Sequence, residues 1–329
     1  MLNVGTLNHC GIMVNYECNA TCRHCLYSCS PTRNPGYINE ETAEKVCQLL
    51  NKGGCRSVHI GGGEPFLDFK NLLMMVRQLN KNGIRLEYIE TNAYWAAKPE
   101  DHEEIRKKLK QLLNEGVNAL CISIDPYHAE FVPYGAPLSL AKYCEETGMD
   151  YFLWRIESIQ ALSKMDPQKI HSRQDMEKLI SRDYIGKTAR QFGITYGGRA
   201  VNIEREFSSL SPADNFCKQS SSCRNLLSTN HFHVDKDANF IPPGCTGLRI
   251  PLEEAVCGIP EDKYSVFETL YNGGVSALLE LAKQFGFIPD ATGYSSKCNL
   301  CFHIRCFLSK RDFPELDQNH YEEAVSFTK

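Results

Sequence analysis

Sixteen cysteines stand among 329 residues, and their spacing carries the first chemical signal. Cys18-Asn-Ala-Thr-Cys22-Arg-His-Cys25 is a CxxxCxxC run. Three thiolates on one short loop can ligate three irons of a [4Fe–4S] cluster and leave the fourth iron open to a cofactor or substrate. A zinc knuckle completed by His24 or Cys29 is the other reading, although such knuckles favour paired CxxC arms. Gly61-Gly62-Gly63-Glu64-Pro65 is a second signal. Its glycines let a backbone turn approach a ligand closely, and Glu64 adds a carboxylate suited to an ammonium group. A tight strand-to-helix turn is the plainer account of the same residues.

The C-terminal third holds another constellation. Cys223 and Cys245 flank a stretch from His231 to Gly244 that reads as a hairpin turning at Asp237–Asn239. Cys298-Asn-Leu-Cys301 follows, then Cys306. Two ligands on a hairpin and a CxxC arm make a four-thiolate site for an auxiliary [4Fe–4S] cluster or for zinc. Cys217 and Cys306 compete as ligands there. Cys257 reads as a buried thiol, as do Cys10, Cys47, Cys55, Cys121 and Cys144 among apolar neighbours.

The elements that must position these groups alternate between strand and helix. Strands are expected at Gly11–Tyr16, Arg56–Ile60, Ile84–Glu90, Val117–Ile124, Asp150–Ile156 and Phe192–Val201. Asn39 caps an expected helix from Glu40 to Leu50, closed by Gly53 and Gly54. Asp68 caps another carrying Phe69, Leu72, Leu73, Val76 and Leu79 on one stripe, and Pro99 opens a third that runs to Gly116. Six such units predict a parallel, partly closed α/β barrel, with chemistry in the loops after the strands. Beyond residue 205 the alternation gives way to a Ser-, Cys- and Pro-rich region. The expected domains are therefore 1–205, the barrel, and 206–329, the Cys-rich extension.

Composition narrows the function classes. The chain is 42% apolar and 23% charged, enough for a sizeable core. Its formal net charge of −4 gives no basic footprint for nucleic acid or anionic membrane. No uncharged apolar run approaches the roughly 18 residues of a membrane span, and no basic residue precedes the short apolar N-terminal stretch as in a signal peptide. Cysteine at about 5% falls below a disulfide scaffold's usage and points to metal or redox chemistry in a reducing compartment. A cytoplasmic protein is expected.

CxxxCxxC followed one strand later by Gly-Gly-Glu-Pro resembles the radical S-adenosylmethionine (radical SAM) superfamily over roughly residues 10–205. The resemblance implies a partial (β/α)6 barrel. It also implies a [4Fe–4S] cluster on Cys18, Cys22 and Cys25, whose open iron chelates S-adenosylmethionine. Reductive cleavage would then yield a 5′-deoxyadenosyl radical that abstracts a substrate hydrogen, fed by a low-potential donor of flavodoxin or ferredoxin type. Gly62, Gly63, Glu64 and Pro65 would meet the methionyl amino group. Asn92, Ser123 and Asp125 would sit near the cofactor at the ends of the third and fourth strands. Arg155 would pair with the methionyl carboxylate, and Gly198-Arg199-Ala200 resembles the motif ending the sixth strand. His24 departs from the Tyr or Phe of many members. Cys223, Cys245, Cys298 and Cys301 resemble the shortened (twitch) form of the SPASM auxiliary-cluster extension. Cys25-Leu-Tyr-Ser-Cys29-Ser-Pro resembles a stretch in bacterial peptide epimerases, which return a hydrogen from a cysteine thiol. Cys29, Cys217 and Cys306 are the candidates for that donor. A ribosomally made peptide is thus the expected substrate. Residues 1–10 are too few for the winged-helix leader binder of some peptide maturases. A small molecule of sugar or cofactor biosynthesis is the alternative substrate, and a non-catalytic iron–sulfur or zinc protein the alternative class.

Overall fold

The structure, a computed structural model, describes residues 2–192, 194–195, 197–218 and 221–326. Five expected strands form: β1 (His9–Met13), β2 (Ser57–Gly61), β3 (Arg85–Thr91), β4 (Ala119–Ser123) and β5 (Asp150–Trp154). All pair in parallel, in the spatial order β5-β4-β3-β2-β1. Helices α1 (Glu40–Lys52), α2 (Phe69–Lys81), α3 (His102–Asn114), α4 (Pro126–Ala129) and α5 (Gly135–Thr147) intervene. The capping residues act as the sequence requires. Asn39 Oδ1 accepts from Thr42 N at 2.8 Å and Asp68 Oδ1 from Asn71 N at 3.0 Å, each cap worth about 1 kcal/mol.

Strand alternation sorts the side chains into two layers. Cys10 and Ile12 of β1, Val58 and Ile60 of β2, and Leu120 and Ile122 of β4 belong to the main apolar core. The alternate residues, including Gly11, His59, Cys121 and Ser123, face inward. Unlike a closed barrel packed with branched apolar side chains, this interior is polar and bounds a cavity.

The sixth expected strand is a correction. Phe192 ends a helix (Tyr184–Phe192), Gly193 and Tyr196 lie outside the described residues, and Gly198–Arg199 turns into the helix Ala200–Phe207. Gly198 adopts φ +51 and passes so close to the backbone of Cys25 and Leu26 that a Cβ would collide with both carbonyls. An extended segment cannot make that turn. The sixth parallel position belongs instead to β6 (Phe232–Val234), which pairs with β1 on the far side of the sheet from β5.

Antiparallel β7 (Asn239–Ile241) and β8 (Ile250–Pro251) continue the sheet. The β6–β7 hairpin turns where expected. Asp235 Oδ1 accepts from the backbone of Asp237 and Asn239 at 3.0 and 2.9 Å, and Ala238 takes the left-handed conformation, φ +60. The helix Ala200–Phe207 runs through residue 205, and the β1–β6 ladder joins the Cys-rich region to the barrel. Among the described residues β5 is the outer strand at that end of the sheet. Among the described residues no helix is long and apolar enough to cross a membrane.

Candidate functional site

A cavity of about 530 Å³ opens inside the sheet, lined at the C-terminal strand ends by Cys18, Cys22, Cys25 and Cys29. The loop that follows β1 carries all four. Arg199, itself 1% exposed, holds that loop by its carbonyls: Nε donates to Cys22 O at 2.8 Å, Nη2 to Cys29 O at 2.6 Å, and its backbone N to Cys25 O at 3.1 Å. Arg199 therefore lines the cavity chiefly as a brace. The Cys29 thiol hydrogen-bonds to Cys25 and lowers its pKa well below the ordinary thiol value, with the Arg199 charge assisting; Cys29 is raised in return. Cys25 is thus the readiest thiolate of the loop. Cys18 and Cys22 are raised, burial being the main cause.

Gly62 and Gly63 line the cavity, but the need for glycine there comes from the chain itself. A Cβ on Gly63 would run into the backbone of Tyr16 and Glu17, and one on Gly62 into Asn15. The amides of Gly63 and Glu64 serve the same join, since Gly63 N donates to Asn15 O at 2.9 Å and Glu64 N to Glu17 O at 3.0 Å. The Glu64 carboxylate is engaged by the protein itself. It is 0% exposed and not part of the cavity wall; Oε1 accepts from Phe66 N (3.1 Å) and Thr91 Oγ1 (2.9 Å), and Oε2 from Asn92 N (2.8 Å). Burial pushes it up to about 7 against those three donors. Its place clamps the β2 and β3 loop ends together.

The remaining expected contacts divide. Pro65, Asn92 and Ser123 line the cavity, and Asn92 Nδ2 lies 3.7 Å from Cys18 Sγ. Asp125 caps α4 through Tyr127 N (2.8 Å) and His128 N (3.1 Å), and its Oδ2 meets His128 Nδ1 at 2.6 Å and His24 Nε2 at 3.6 Å. Burial raises Asp125, but the His128 and His24 charges and the His128 hydrogen bonds outweigh it and hold the carboxyl well below its usual range. Arg155 lies outside the cavity wall, in the left-handed region at φ +75, with its guanidinium 4.8 Å from the Trp154 ring centroid.

Donor chemistry and burial at this end suit an iron–sulfur cluster. Four cavity-lining cysteines share one loop, three of them in the CxxxCxxC run, and beside them His24 keeps a buried Nδ1 without a hydrogen-bond partner. Residues 12–168 match the family described as the Radical SAM superfamily. The chain carries a radical SAM domain.

YydG of Bacillus subtilis (strain 168), named for peptide biosynthesis, is 31% identical over 121 residues, which is 37% of this chain and 37% of YydG. The GTP 3′,8-cyclase of Klebsiella pneumoniae is 26% identical over 117 residues, 34% of this chain and 32% of that enzyme. The matched stretches thus span about a third of these relatives' length. Among solved structures, native anSMEcpe with bound AdoMet is similar at a TM-score of 0.48 and 15% identity, covering 97% of this chain and 95% of that one. Streptococcus suis SuiB bound to S-adenosylmethionine is similar at 0.42 and 15%, covering 84% and 75%.

The second cysteine set assembles from separate elements outside the radical SAM domain. Cys223 precedes a helical turn (Arg224–Leu227), Cys245 follows β7, and Cys298 and Cys301 stand at the start of the helix Lys297–Leu308. Burial first, then Cys301, Cys298 and Cys223, push the Cys245 thiol up to about 12 against the pull of Arg305. Arg305, which sequence reasoning missed, is 5% exposed one turn beyond Cys301. Its Nη1 donates to Thr246 O and to the Tyr321 hydroxyl at 3.0 Å, while Nε is buried without a partner. An anionic group among these thiols would meet that donor, so the set fits a cluster. Helical spacing Cys301-x-x-x-Arg305 was the available signal.

The three hydrogen-donor candidates separate. Cys29 faces the cavity; Cys217 meets Ser276 on the helical side, and Cys306 sits near Lys310 and Glu322. Cys121, expected as a structural thiol, also lines the cavity, two residues before Ser123 on the same face of β4. Cys257 is exposed rather than buried, 3.1 Å from Lys52 Nζ, because it closes a short surface helix (Leu252–Cys257). Cys10, Cys47, Cys55, Cys121 and Cys144 are buried as expected.

Proposed function

We propose that this protein is a radical SAM enzyme acting on a peptide, with residues 206–329 as a Cys-rich auxiliary-cluster region. Cys18, Cys22 and Cys25 would hold a [4Fe–4S] cluster, and Cys223, Cys245, Cys298 and Cys301 a second. When bound, the first cluster and S-adenosylmethionine supply a hydrogen-abstracting radical, given an electron from a flavodoxin- or ferredoxin-type donor. This chain's own residues do the rest. Arg199 fixes the cysteine loop, Glu64 ties the Gly-rich turn to β3, and Asn92, Ser123 and Pro65 shape the wall beside Cys18.

The observation carrying the peptide reading is the open side of the barrel. Phe152 and Trp154 on the outer strand β5 are 38% and 49% exposed, and they stand on the cavity side, opposite Cys121 and Ser123 in register. Trp154 itself lines the cavity. Exposed aromatic side chains on an edge strand beside the cavity suit an extended chain entering from solvent, whereas a small molecule favours enclosure. The likeness to YydG supports the same reading. Cys29 and Cys121 line the cavity and are the candidate thiols to return a hydrogen there. A small-molecule substrate is the second reading, favoured by the likeness to the GTP 3′,8-cyclase.

The test uses anaerobically reconstituted protein, S-adenosylmethionine and a chemical reductant. A short peptide encoded beside this gene should raise 5′-deoxyadenosine formation above the substrate-free rate and itself change mass or take up solvent deuterium. Stimulation by GTP, with the peptide unchanged, would establish the second reading.

A further inference from the structure

Four histidines crowd the same lumen toward the N-terminal ends of the strands. Gly11 of β1 is in register with His59 on β2 and with His233 on β6. His9 lies two residues before Gly11 on the same face of β1, and His231, just before β6, lies two before His233; ring contacts join all four imidazoles. Gly11 is required for this arrangement, because a Cβ there would strike both the His59 and His233 rings. Three rings stack nearly parallel: His9 on His59 with centroids 5.4 Å apart, His9 on His231 at 5.1 Å, and His59 on His231 at 5.3 Å.

We propose that His9, His59 and His231 bind a divalent transition-metal ion of the zinc type. One ring nitrogen from each lies within 4.8 Å of the other two. His9 Nε2 and His59 Nδ1 are 3.2 Å apart, close to the roughly 3.3 Å edge of a tetrahedron with Zn–N bonds of about 2.0–2.1 Å. The outward nitrogens of these rings face carboxylates. His9 Nδ1 is 3.7 Å from Glu87 Oε2, and His59 Nε2 is 3.7 Å from Glu90 Oε1. At 3.7 Å neither pair is hydrogen-bonded, but a shift of less than about 1 Å would let each ring donate its second N–H to its carboxylate, as metal-bound imidazoles commonly do, which sets the tautomer and raises ligand basicity.

With the N–H of each ring on its carboxylate side, the two facing nitrogens both offer lone pairs to an ion. Binding then requires a tautomer change and no net loss of protons from these rings. Burial foremost, then neighbouring imidazoles, keeps His59 well below its usual pKa, and burial with His9 lowers His231. Neutral rings are the form a metal needs. His231 is exposed, so solvent reaches the site and water can complete the tetrahedron. An ion there would pin β1 and β2 to the chain entering β6, tying the Cys-rich region to the barrel. All-nitrogen donors select zinc-type ions over iron–sulfur chemistry.

The test adds zinc sulfate to the anaerobically isolated protein carrying its iron. One zinc per chain should bind, with a Zn K-edge shell of nitrogen and oxygen near about 2.0 Å. His59→Gln and His231→Ala should each weaken zinc binding more than about 100-fold, and Glu87→Gln roughly 10-fold, as expected of an outer carboxylate. Iron content should stay unchanged in all three. Because His231 is exposed, its Ala variant separates ligand loss from misfolding. The site is refuted if zinc fails to bind saturably, if its shell contains sulfur near about 2.3 Å, or if His231→Ala binds zinc as wild type does.

Discussion

Cys18, Cys22 and Cys25 share one loop at the end of β1, whereas Cys223, Cys245, Cys298 and Cys301 converge from a helical turn, the end of a hairpin and a helix start. The first set is held by its backbone, with Arg199 gripping the carbonyls of Cys22 and Cys29. The second is matched by charge, with the Arg305 guanidinium buried against the thiols themselves. A contiguous loop needs only its conformation secured. A set drawn from distant segments must also pay for gathering partly charged sulfurs, and a buried cation offsets that cost.

The largest expected effect comes from removing the local set. Reconstituted wild type should hold about eight irons, as two four-iron clusters. Changing Cys18, Cys22 and Cys25 together to Ala should halve that figure and abolish cleavage of S-adenosylmethionine. Persistent cleavage would break the comparison at its root. Next, Cys298→Ala with Cys301→Ala should remove the other half of the iron. Substrate-free cleavage should largely survive while peptide turnover falls, and loss of both activities together would mean the two sets act as one.

The two arginines sharpen the contrast. Arg305→Met should deplete iron from the second set alone, because it strips the cation from among the thiols. Arg199→Met should loosen the first loop at a cost of about 1–3 kcal/mol, by leaving buried carbonyls unpaired. Iron analysis and thermal melts of each variant check both. An Arg305→Met protein with full iron would show that the second set needs no charge partner.

The remaining effect, confined to a pH window, concerns Glu64, which secures the first loop from behind. A carboxyl raised to about 7 from 4.5 keeps its proton in the folded state across that interval. Its stabilising contribution is therefore complete below about pH 4.5 and is lost as pH rises through about 7, by roughly 3 kcal/mol at most. Urea titrations of the metal-free protein should show the advantage of wild type over Glu64→Gln shrinking between pH 5 and 8.5. A constant difference would mean that Glu64 is ionised throughout.

What could be read from residue order alone was whatever depends on near neighbours. The strand periods, the Asn39 and Asp68 caps, the Asp237–Asn239 turn and the CxxxCxxC loop all rest on contacts a few residues apart. Sequence reasoning missed at Phe192–Val201 because Gly198 must dive beneath the Cys25–Leu26 backbone, a demand set by a segment far away in the chain. Nor does anything local reveal that Thr91 and Asn92 meet the Glu64 carboxylate from the next strand.

The sequence by itself determined the donor types, the α/β alternation and the loop that can carry a cluster, because thiol spacing and side-chain period are local properties. Only the tertiary structure decided that β6 takes the place beside β1, that Cys121 faces the cavity and Cys257 the solvent, and that four histidines from three strands share one lumen. Those outcomes follow from strand register and close backbone packing, where one residue of slip turns a side chain to the opposite face.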